Sequence, residues 1–102
     1  MVIEWLKFRV PAEQRERYVQ VDAEIWSVAL ESYDGFLGKE VWISPEDVSE
    51  LVLMIRWASR EQWKAIDQTA LDHIAQTFDQ TLGFEYEMLE SKEYQVRRFA
   101  SI

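Results

Sequence analysis

The 102-residue sequence has no cysteine and only one histidine, and these two scarcities exclude several kinds of chemistry. A chain without cysteine forms no disulfide, carries no thiolate nucleophile and offers no thiolate ligand to a metal, and its composition fits a reducing compartment. A metal site built from protein side chains needs histidine or cysteine together with carboxylates at short spacing, which one histidine does not supply. We therefore predict no metal site and no cofactor.

Glycine and basic residues are also scarce. Three glycines, none of them clustered, provide no phosphate-binding loop, and no serine lies in a Gly-x-Ser-x-Gly element. Nineteen acidic residues against eleven basic ones give a net charge of −8, whereas nucleic acids and anionic membrane surfaces attract basic proteins. The composition therefore predicts neither a nucleic-acid partner nor a membrane partner.

Long hydrophobic runs are missing as well. No apolar run approaches the roughly 20 residues that cross a bilayer. The first ten residues, "MVIEWLKFRV", lack the basic leader and the apolar core of a signal peptide. We expect a cytoplasmic protein with a single domain over residues 1–102, because this length matches one small domain.

What the chain does contain is an alternation of strand and helix patterns. In order these are a strand "VIEWLKFRV", a helix from Ala12 to Tyr33, a strand from Phe36 to Ser44, a strand "SELVLMIRWAS", a helix that begins at Ser59, and a last strand within Phe84–Phe99 with a kink or break around "ESKE". This βαββαβ order predicts an α+β, ferredoxin-like fold, in which a four-stranded antiparallel sheet carries two helices on one face.

The strands are apolar on both sides, although helices cover only one face of such a sheet. The third strand, for example, alternates Leu53 on one side with Met54 on the other. Burying a large apolar side chain is worth about 1.5–3 kcal/mol. The uncovered face, which we expect to carry Trp5, Val41 and Met54, is therefore too apolar to be left in water. We predict a homodimer in which two sheets pack together through this face.

The single histidine lies in the second helical segment. Placing residues at about 100° each puts Leu71 and Phe78 on one arc and His73 on the opposite side, facing water. Ile66 does not keep that phase, so we predict a break near Asp67, where a second helical piece begins. His73 is accordingly predicted to be a solvated residue and not a catalytic group.

Three basic residues lie inside otherwise apolar strands, namely Lys7, Arg9 and Arg56. A buried charge needs a partner, so the structural interpretation is an ion-pair network with Glu4, Glu40 or a carboxylate of the partner subunit. The functional alternative is a pocket for an anionic ligand, with Arg56 as its main contact.

Five tryptophans are many for a chain of this length. Such residues usually fill cores and interfaces, but they also line pockets for flat organic ligands. A cavity between the sheet and the helices is expected to be lined by Leu6, Trp57 and Trp63. Together with Arg56 these are the candidate ligand-binding residues, and no catalytic residue is predicted.

Four segments together resemble a small family of uncharacterised, mainly cyanobacterial proteins: "EWLKFRVP", "YDGFLGKEVWI", "IRWASREQWKAI" and "ESKEYQVRRF". The resemblance runs over nearly the whole chain. It places that family in the dimeric α+β barrel superfamily, beside antibiotic-biosynthesis monooxygenases and haem-degrading enzymes. It implies a ferredoxin-like subunit whose sheet packs against that of its mate, and it supplies no assigned activity.

The haem-degrading members of this superfamily use an Asn on the first strand, and a Trp and a His ten residues apart on the second helix. Trp63 and His73 are also ten residues apart. Alignment on "IRWASRE", however, puts Ile66 and Gln76 at those positions, and Leu6 replaces the Asn. The resemblance therefore gives weak support to haem chemistry, whereas a cofactor-free monooxygenase stays open because its site needs only a pocket with a few polar groups.

Three functional hypotheses follow. The first is a homodimer that holds a small apolar or aromatic ligand between sheet and helices. The second is a monooxygenase, either cofactor-independent or haem-degrading, and the third is a structural or regulatory dimer with no ligand. A cavity lined by Leu6, Trp57 and Trp63 favours the first two hypotheses, and a filled interior favours the third.

Overall fold

The structure, a computed structural model, describes residues 1–98 of the chain. Its elements are β1 (Val2–Arg9), a 3-10 turn (Ala12–Gln14), α1 (Arg15–Asp22), a π-helical turn (Ala23–Ser27), α2 (Val28–Leu30), β2 (Phe36–Ile43), β3 (Glu50–Trp57), α3 (Arg60–Lys64), α4 (Gln68–Leu82) and β4 (Glu87–Gln95). The four helical pieces before β2 follow one another directly and together form the long helix that the sequence predicts, here called the first helix.

The four strands form one antiparallel sheet in the order β2-β3-β1-β4. One face, here called the helix face, packs against the first helix and α4. Strand residues Phe8, Leu53 and Trp57 are buried there in one cluster with Tyr18 of the first helix and Phe78 of α4. The opposite face is called the open face. This arrangement confirms the predicted α+β, ferredoxin-like fold.

Strand β2 departs from strict alternation at its start. The pairing register with β3 shifts between Phe36 and Gly38, so Leu37 is an extra residue of the β-bulge type. After the bulge, Val41 pairs with Leu53 and packs against the buried cluster on the helix face. The prediction that Val41 belongs to the uncovered face was wrong. A one-residue bulge moves every residue that follows it in the strand to the opposite face of the sheet.

Strand β4 runs without interruption through "ESKE", where the sequence predicted a kink or break. An irregularity lies directly before that segment: β1 residues Lys7 and Phe8 pair with Glu90 and Met88, which leaves Leu89 as an extra residue of the bulge type that bends a strand. Four charged or polar residues in a row are compatible with β4 because it is an edge strand, and charge is a common feature of edges. The strand therefore has a bulge beside this segment and no break, and the charges mark the edge of the sheet.

The second helical segment begins and breaks where the sequence predicts. The Ser59 hydroxyl caps α3 by accepting from the Gln62 amide, and the Asp67 carboxylate caps α4 by accepting from the Ala70 amide. His73 is exposed on α4, which confirms its predicted position. Within residues 1–98, no helix has both the length and the apolar character that crossing a membrane demands.

The open face has an apolar centre that long basic side chains partly cover. Met54 is only 2% exposed within a single chain, and Arg56 Nη1 lies 3.6 Å from its sulfur. Trp5 and Val52 are half-buried, and the Lys92 ammonium lies 5.1 Å from the centroid of the Trp5 ring. Trp5 and Met54 thus lie on the face where the sequence predicts them, and side chains of the same chain already cover Met54. The homodimer through this face stays a prediction.

Candidate functional site

A cavity of about 510 Å³ lies between the helix face and the helices. Its walls are mostly apolar, and their aliphatic residues come from every layer of the fold: Leu6, Leu53 and Ile55 from the sheet, Leu30 from the first helix, Ile66 from the connection between α3 and α4, and Leu71 and Ala75 from α4. Lys64, Gln68 and Asp72 also line it and are exposed to solvent. The cavity therefore opens beside the junction of α3 and α4, where the chain breaks at the Asp67 cap.

Three of the five tryptophans line this space, which we call the tryptophan cavity. Trp57 is almost fully buried at the end of β3, whereas Trp26 and Trp63 are half-buried. Trp26 lies in the π-helical turn, a local change of winding that is frequent at functional sites. The Lys64 ammonium lies 3.9 Å from the centroid of the Trp63 ring, so a cation covers one aromatic wall near the opening.

The carboxyl group of Glu4 is the main polar feature of the sheet side of the cavity. Glu4 lies on the helix face of β1, and its Oε1 accepts a hydrogen bond of 3.2 Å from the indole Nε1 of Trp57. Burial raises the pKa of the Glu4 carboxyl above its ordinary value. The hydrogen bond from Trp57 and the ammonium groups of Lys64 and Lys39 act in the opposite direction but do not offset burial.

A buried ion pair borders the same cavity. Lys39 of β2 lines the cavity, and its Nζ lies 2.6 Å from Oδ2 of Asp22, with side-chain exposures of 5% and 1%. Asp22 is the last residue of α1, directly before the π-helical turn. Its other oxygen, Oδ1, has no hydrogen-bond donor among residues 1–98. Burial raises the pKa of Asp22, and the Lys39 ammonium offsets this only in part.

An aromatic cluster forms a further part of the cavity wall. Phe8, Tyr18 and Tyr86 line it, and their ring centroids lie 5.4–5.8 Å apart with tilted or edge-on geometry. Burial raises the pKa of both tyrosine hydroxyls, and the Tyr86 hydroxyl donates to the Asp79 carboxylate. The cavity wall thus combines aromatic rings with a few ionisable groups.

The sequence-predicted site residues divide between the two faces. Leu6, Trp57 and Trp63 all line the cavity. Arg56 lies on the open face, because neighbouring residues of a strand alternate, and its Nη1 forms an ion pair of 3.1 Å with Glu40. The structure therefore brings three of the four candidates together and separates Arg56 from them.

Two of the three basic strand residues singled out from the sequence are paired on the open face. Lys7 Nζ lies 2.7 Å from Glu50, and Arg56 is held by Glu40 as described. Arg9 is exposed and forms no ion pair within residues 1–98. Glu4, which the sequence suggested as a partner for these cations, lies on the other face. The ion-pair interpretation therefore accounts for Lys7 and Arg56.

Sequence reasoning missed the role of three residues that the structure places at or beside the cavity: Glu4, Asp22 and Lys39. The signal for Glu4 was present, since an acidic residue alternates with Val2 and Leu6 on the core side of β1. Lys39 was hidden because only the bulge at Leu37 turns it to the helix face. Within residues 1–98, no three His, Cys, Asp or Glu side chains are grouped so as to hold a metal ion.

The sequence profile of the family described as "Antibiotic biosynthesis monooxygenase" matches residues 1–80 of the chain. That range includes β1 to β3 and most of α4, and therefore most of the cavity wall. No curated protein matches the chain in sequence.

Solved structures with the same fold cover nearly the whole chain. A Deinococcus radiodurans protein that carries the family's name is similar at 20% identity and a TM-score of 0.74, over 100% of this chain and 98% of its own. SnoaB, a cofactor-independent oxygenase from Streptomyces nogalater, is similar at 14% identity and a TM-score of 0.68, over 96% and 94%. HapK from Hahella chejuensis is similar at 13% identity and a TM-score of 0.76, over 100% and 99%. At these identities the likeness shows the fold alone.

Proposed function

The chain belongs to the antibiotic biosynthesis monooxygenase family, and from this premise we propose that it binds a small, flat, apolar or aromatic molecule in the tryptophan cavity. The cavity itself carries the proposal. Its volume of about 510 Å³ lies within the range of roughly 300–1,000 Å³ typical of small-molecule sites. An open, mostly apolar cavity of this size gives a small molecule a place to bind, which a filled interior would not.

The chemistry of the wall supports a flat ligand. Trp26, Trp57 and Trp63 provide large rigid surfaces against which a ring can stack, and the aliphatic side chains between them exclude water. The exposed opening at Lys64 gives a route of entry. Polar groups are the minority of the wall, as in sites where they fix the orientation of a mainly apolar ligand.

A cofactor-independent monooxygenase is the second candidate function. The observation in its favour is a carboxyl group, Glu4, in the mostly apolar wall of the cavity, where it can exchange a proton with a bound substrate. SnoaB, which has the same fold, is described as a cofactor-independent oxygenase. Haem degradation has less support, because Leu6 lines the cavity where an Asn is expected and His73 is exposed on the outer side of α4.

We also propose that the chain works as a homodimer in the cytoplasm. The half-buried Trp5 and Val52 and the exposed Trp42 form an apolar centre on the open face. Two such faces packed together would bury these side chains, whose burial is worth about 1.5–3 kcal/mol each. The ion pairs of Lys7 and Arg56 would then lie around the apolar centre, as polar groups do at the rim of an interface.

The ligand proposal is tested with 4-nitroanisole, a neutral flat aromatic, titrated against tryptophan fluorescence and by calorimetry. Wild type is expected to bind it, and Ala75→Leu, which fills part of the cavity, is expected to weaken binding by about tenfold. Ala12→Leu, at an exposed position, is the control and is expected to bind like wild type. Absence of binding by wild type, or equal binding by Ala75→Leu, would contradict the proposal.

The dimer is tested by sedimentation at micromolar concentration. Wild type is expected to sediment as a dimer, whereas Val52→Lys, which adds a second cation opposite Lys7, is expected to be monomeric. Val48→Lys in the exposed loop between β2 and β3 is the matched control and should leave the dimer intact. A monomeric wild type would refute the homodimer and would leave the ligand proposal for the cavity unaffected.

A further inference from the structure

We infer that the first helix has two registers after Asp22, and that a ligand in the tryptophan cavity selects one of them. In the register that the structure shows, the chain winds as a π-helical turn over Ala23–Ser27 and Leu30 lines the cavity. In the other register the helix is a continuous α-helix, and Val28 turns inward in place of Leu30. The inference rests on the proposed function, which it deepens by naming how the site is regulated.

The burial of the first helix shows that it rotates at the π-helical turn. Val21, just before the turn, is 1% exposed. In a continuous α-helix Val28 would lie within about 20° of Val21, whereas Leu30 would lie about 180° from it. The structure has the reverse, since Val28 is 59% exposed and Leu30 is 6% exposed. The turn therefore rotates the rest of the helix by about one residue position.

The sequence also fits the continuous α-helix. Ile25 and Val28 follow Val21 at spacings of four and three residues, which is the pattern of an apolar stripe on one helix face. Burial of a valine and burial of a leucine stabilise a protein to a similar extent. The α register also replaces a rare hydrogen-bond pattern with the common one. Exchanging Leu30 for Val28 in the interior thus costs little, and the two registers are close in free energy.

Two fixed points enclose the part of the helix that rotates. Before the turn, Asp22 is held by Lys39 at 2.6 Å. After the helix, the Gly35 carbonyl accepts a hydrogen bond of 2.7 Å from the amide of Ala58, which directly follows β3. Between Leu30 and Gly35 the chain is not helical, and a segment of this kind can absorb the change at a helix end. The rotation therefore leaves the sheet in place.

The cavity distinguishes the two registers. Leu30 lines it, and so does Trp26, which lies inside the π-helical turn. The α register withdraws Leu30, so this part of the wall exists only in the π register. A ligand that packs against the wall binds the π register more tightly and increases its population. Val28 does not line the cavity, and a change at Val28 therefore acts on the site through the register alone.

The test follows the indole N–H signal of Trp26 by NMR relaxation dispersion, which detects exchange on the microsecond to millisecond timescale. Ligand-free wild type is expected to show exchange between two states, and saturation with 4-nitroanisole should suppress it. Deletion of Glu24 removes one residue from the π-helical turn, so that a continuous α-helix then carries Leu30 to the cavity. This variant should show no exchange and should bind 4-nitroanisole within about twofold of wild type.

A substitution tests the same point without a change of chain length. Val28→Lys places a charge in water in the π register and in the interior in the α register. It should therefore reduce the population of the α register, and the exchange at Trp26, by about tenfold. Val48→Lys, at a similarly exposed valine in the loop between β2 and β3, is the matched control and should keep the exchange of wild type. Thermal unfolding of each variant establishes that it is folded.

The outcomes separate this inference from the proposed function. Absence of exchange at Trp26 in ligand-free wild type, or undiminished exchange in Val28→Lys, overturns the two registers, and the proposed function survives if 4-nitroanisole binds. Exchange that persists in wild type saturated with 4-nitroanisole overturns the selection by ligand. If 4-nitroanisole does not bind wild type while Val28→Lys abolishes the exchange, the proposed function falls and the two registers stand.

Discussion

Glu4 and Glu40 lie on opposite faces of one sheet, and each accepts a hydrogen bond from a tryptophan indole. Trp57 donates to Glu4 at 3.2 Å on the helix face, and Trp42 donates to Glu40 at 2.9 Å on the open face. Burial raises the pKa of Glu4, whereas the bond from Trp42, reinforced by Arg56, lowers the pKa of Glu40. The same pair of residue types, a glutamate and a tryptophan, therefore has a raised glutamate pKa on one face and a lowered glutamate pKa on the other. The surroundings of the pair decide which of the two results.

The ion pairs of the two faces differ in the same way. Lys7 and Glu50 meet at 2.7 Å on the open face, where water still reaches the lysine side chain. Lys39 and Asp22 meet at 2.6 Å on the helix face with almost no exposure. Removing one partner of a buried pair leaves an uncompensated charge, whereas water replaces the partner of an exposed one. The helix face thus keeps charged groups at a cost in stability, as is common around binding and catalytic sites.

The largest effect is expected from Lys39→Met. This change leaves the Asp22 carboxylate buried without a cation, and loss of one partner of a buried pair typically costs about 3–5 kcal/mol. The measurement is the free energy of unfolding in urea at pH 7 and at a fixed protein concentration.

Two further variants sharpen the comparison of the faces. Lys7→Met on the open face should cost much less than Lys39→Met. The double variant Asp22→Asn with Lys39→Met should recover most of the loss, since no buried charge remains. Equal losses for Lys39→Met and Lys7→Met would show that the two faces do not differ in the way described.

A smaller effect, of opposite sign on the two faces, is expected when each glutamate becomes glutamine. The pKa of Glu4 is raised, so its contribution to stability is complete below the ordinary value of 4.5 and is lost as the pH rises through the folded value. Glu4→Gln removes that loss and should therefore raise the free energy of unfolding at neutral pH. The measurement is urea unfolding from pH 4 to pH 8.

Glu40→Gln is the matched variant on the open face. The pKa of Glu40 is lowered, so its contribution is present above 4.5 and is lost as the pH falls through the folded value. Glu40→Gln should therefore lower stability at neutral pH. If both variants shifted the pH profile in the same direction, burial would not be the cause of the difference between Glu4 and Glu40.

The sequence predicted those features of the fold that depend on local pattern. The caps at Ser59 and Asp67, the break between α3 and α4, and the outward position of His73 all follow from neighbours within one or two helical turns. The order of elements and the fold follow from periodicity in the same way.

Features that depend on strand register were not predictable. The bulge at Leu37 turns Lys39 and Val41 to the helix face, and its position depends on how β2 pairs with β3. The contact of Glu4 with Trp57 is diagonal across two strands that are more than 40 residues apart in sequence, so it exists only for one register. The candidate site was therefore predicted in part. Residues of its apolar wall were recognised from the sequence, and its ionisable residues Glu4, Asp22 and Lys39 were not.

The smallest effect is expected from Arg56→Gln, and it tests whether the two faces act independently. Arg56 pairs with Glu40 on the open face and does not line the cavity, so the change should leave the affinity for 4-nitroanisole within about twofold of wild type. Trp63→Ala on the cavity wall should weaken the same affinity by about tenfold, because it removes a stacking surface. Both affinities are measured by calorimetry. If Arg56→Gln lost as much affinity as Trp63→Ala, the open face would be coupled to the cavity through the sheet, because the Arg56 side chain does not line the cavity.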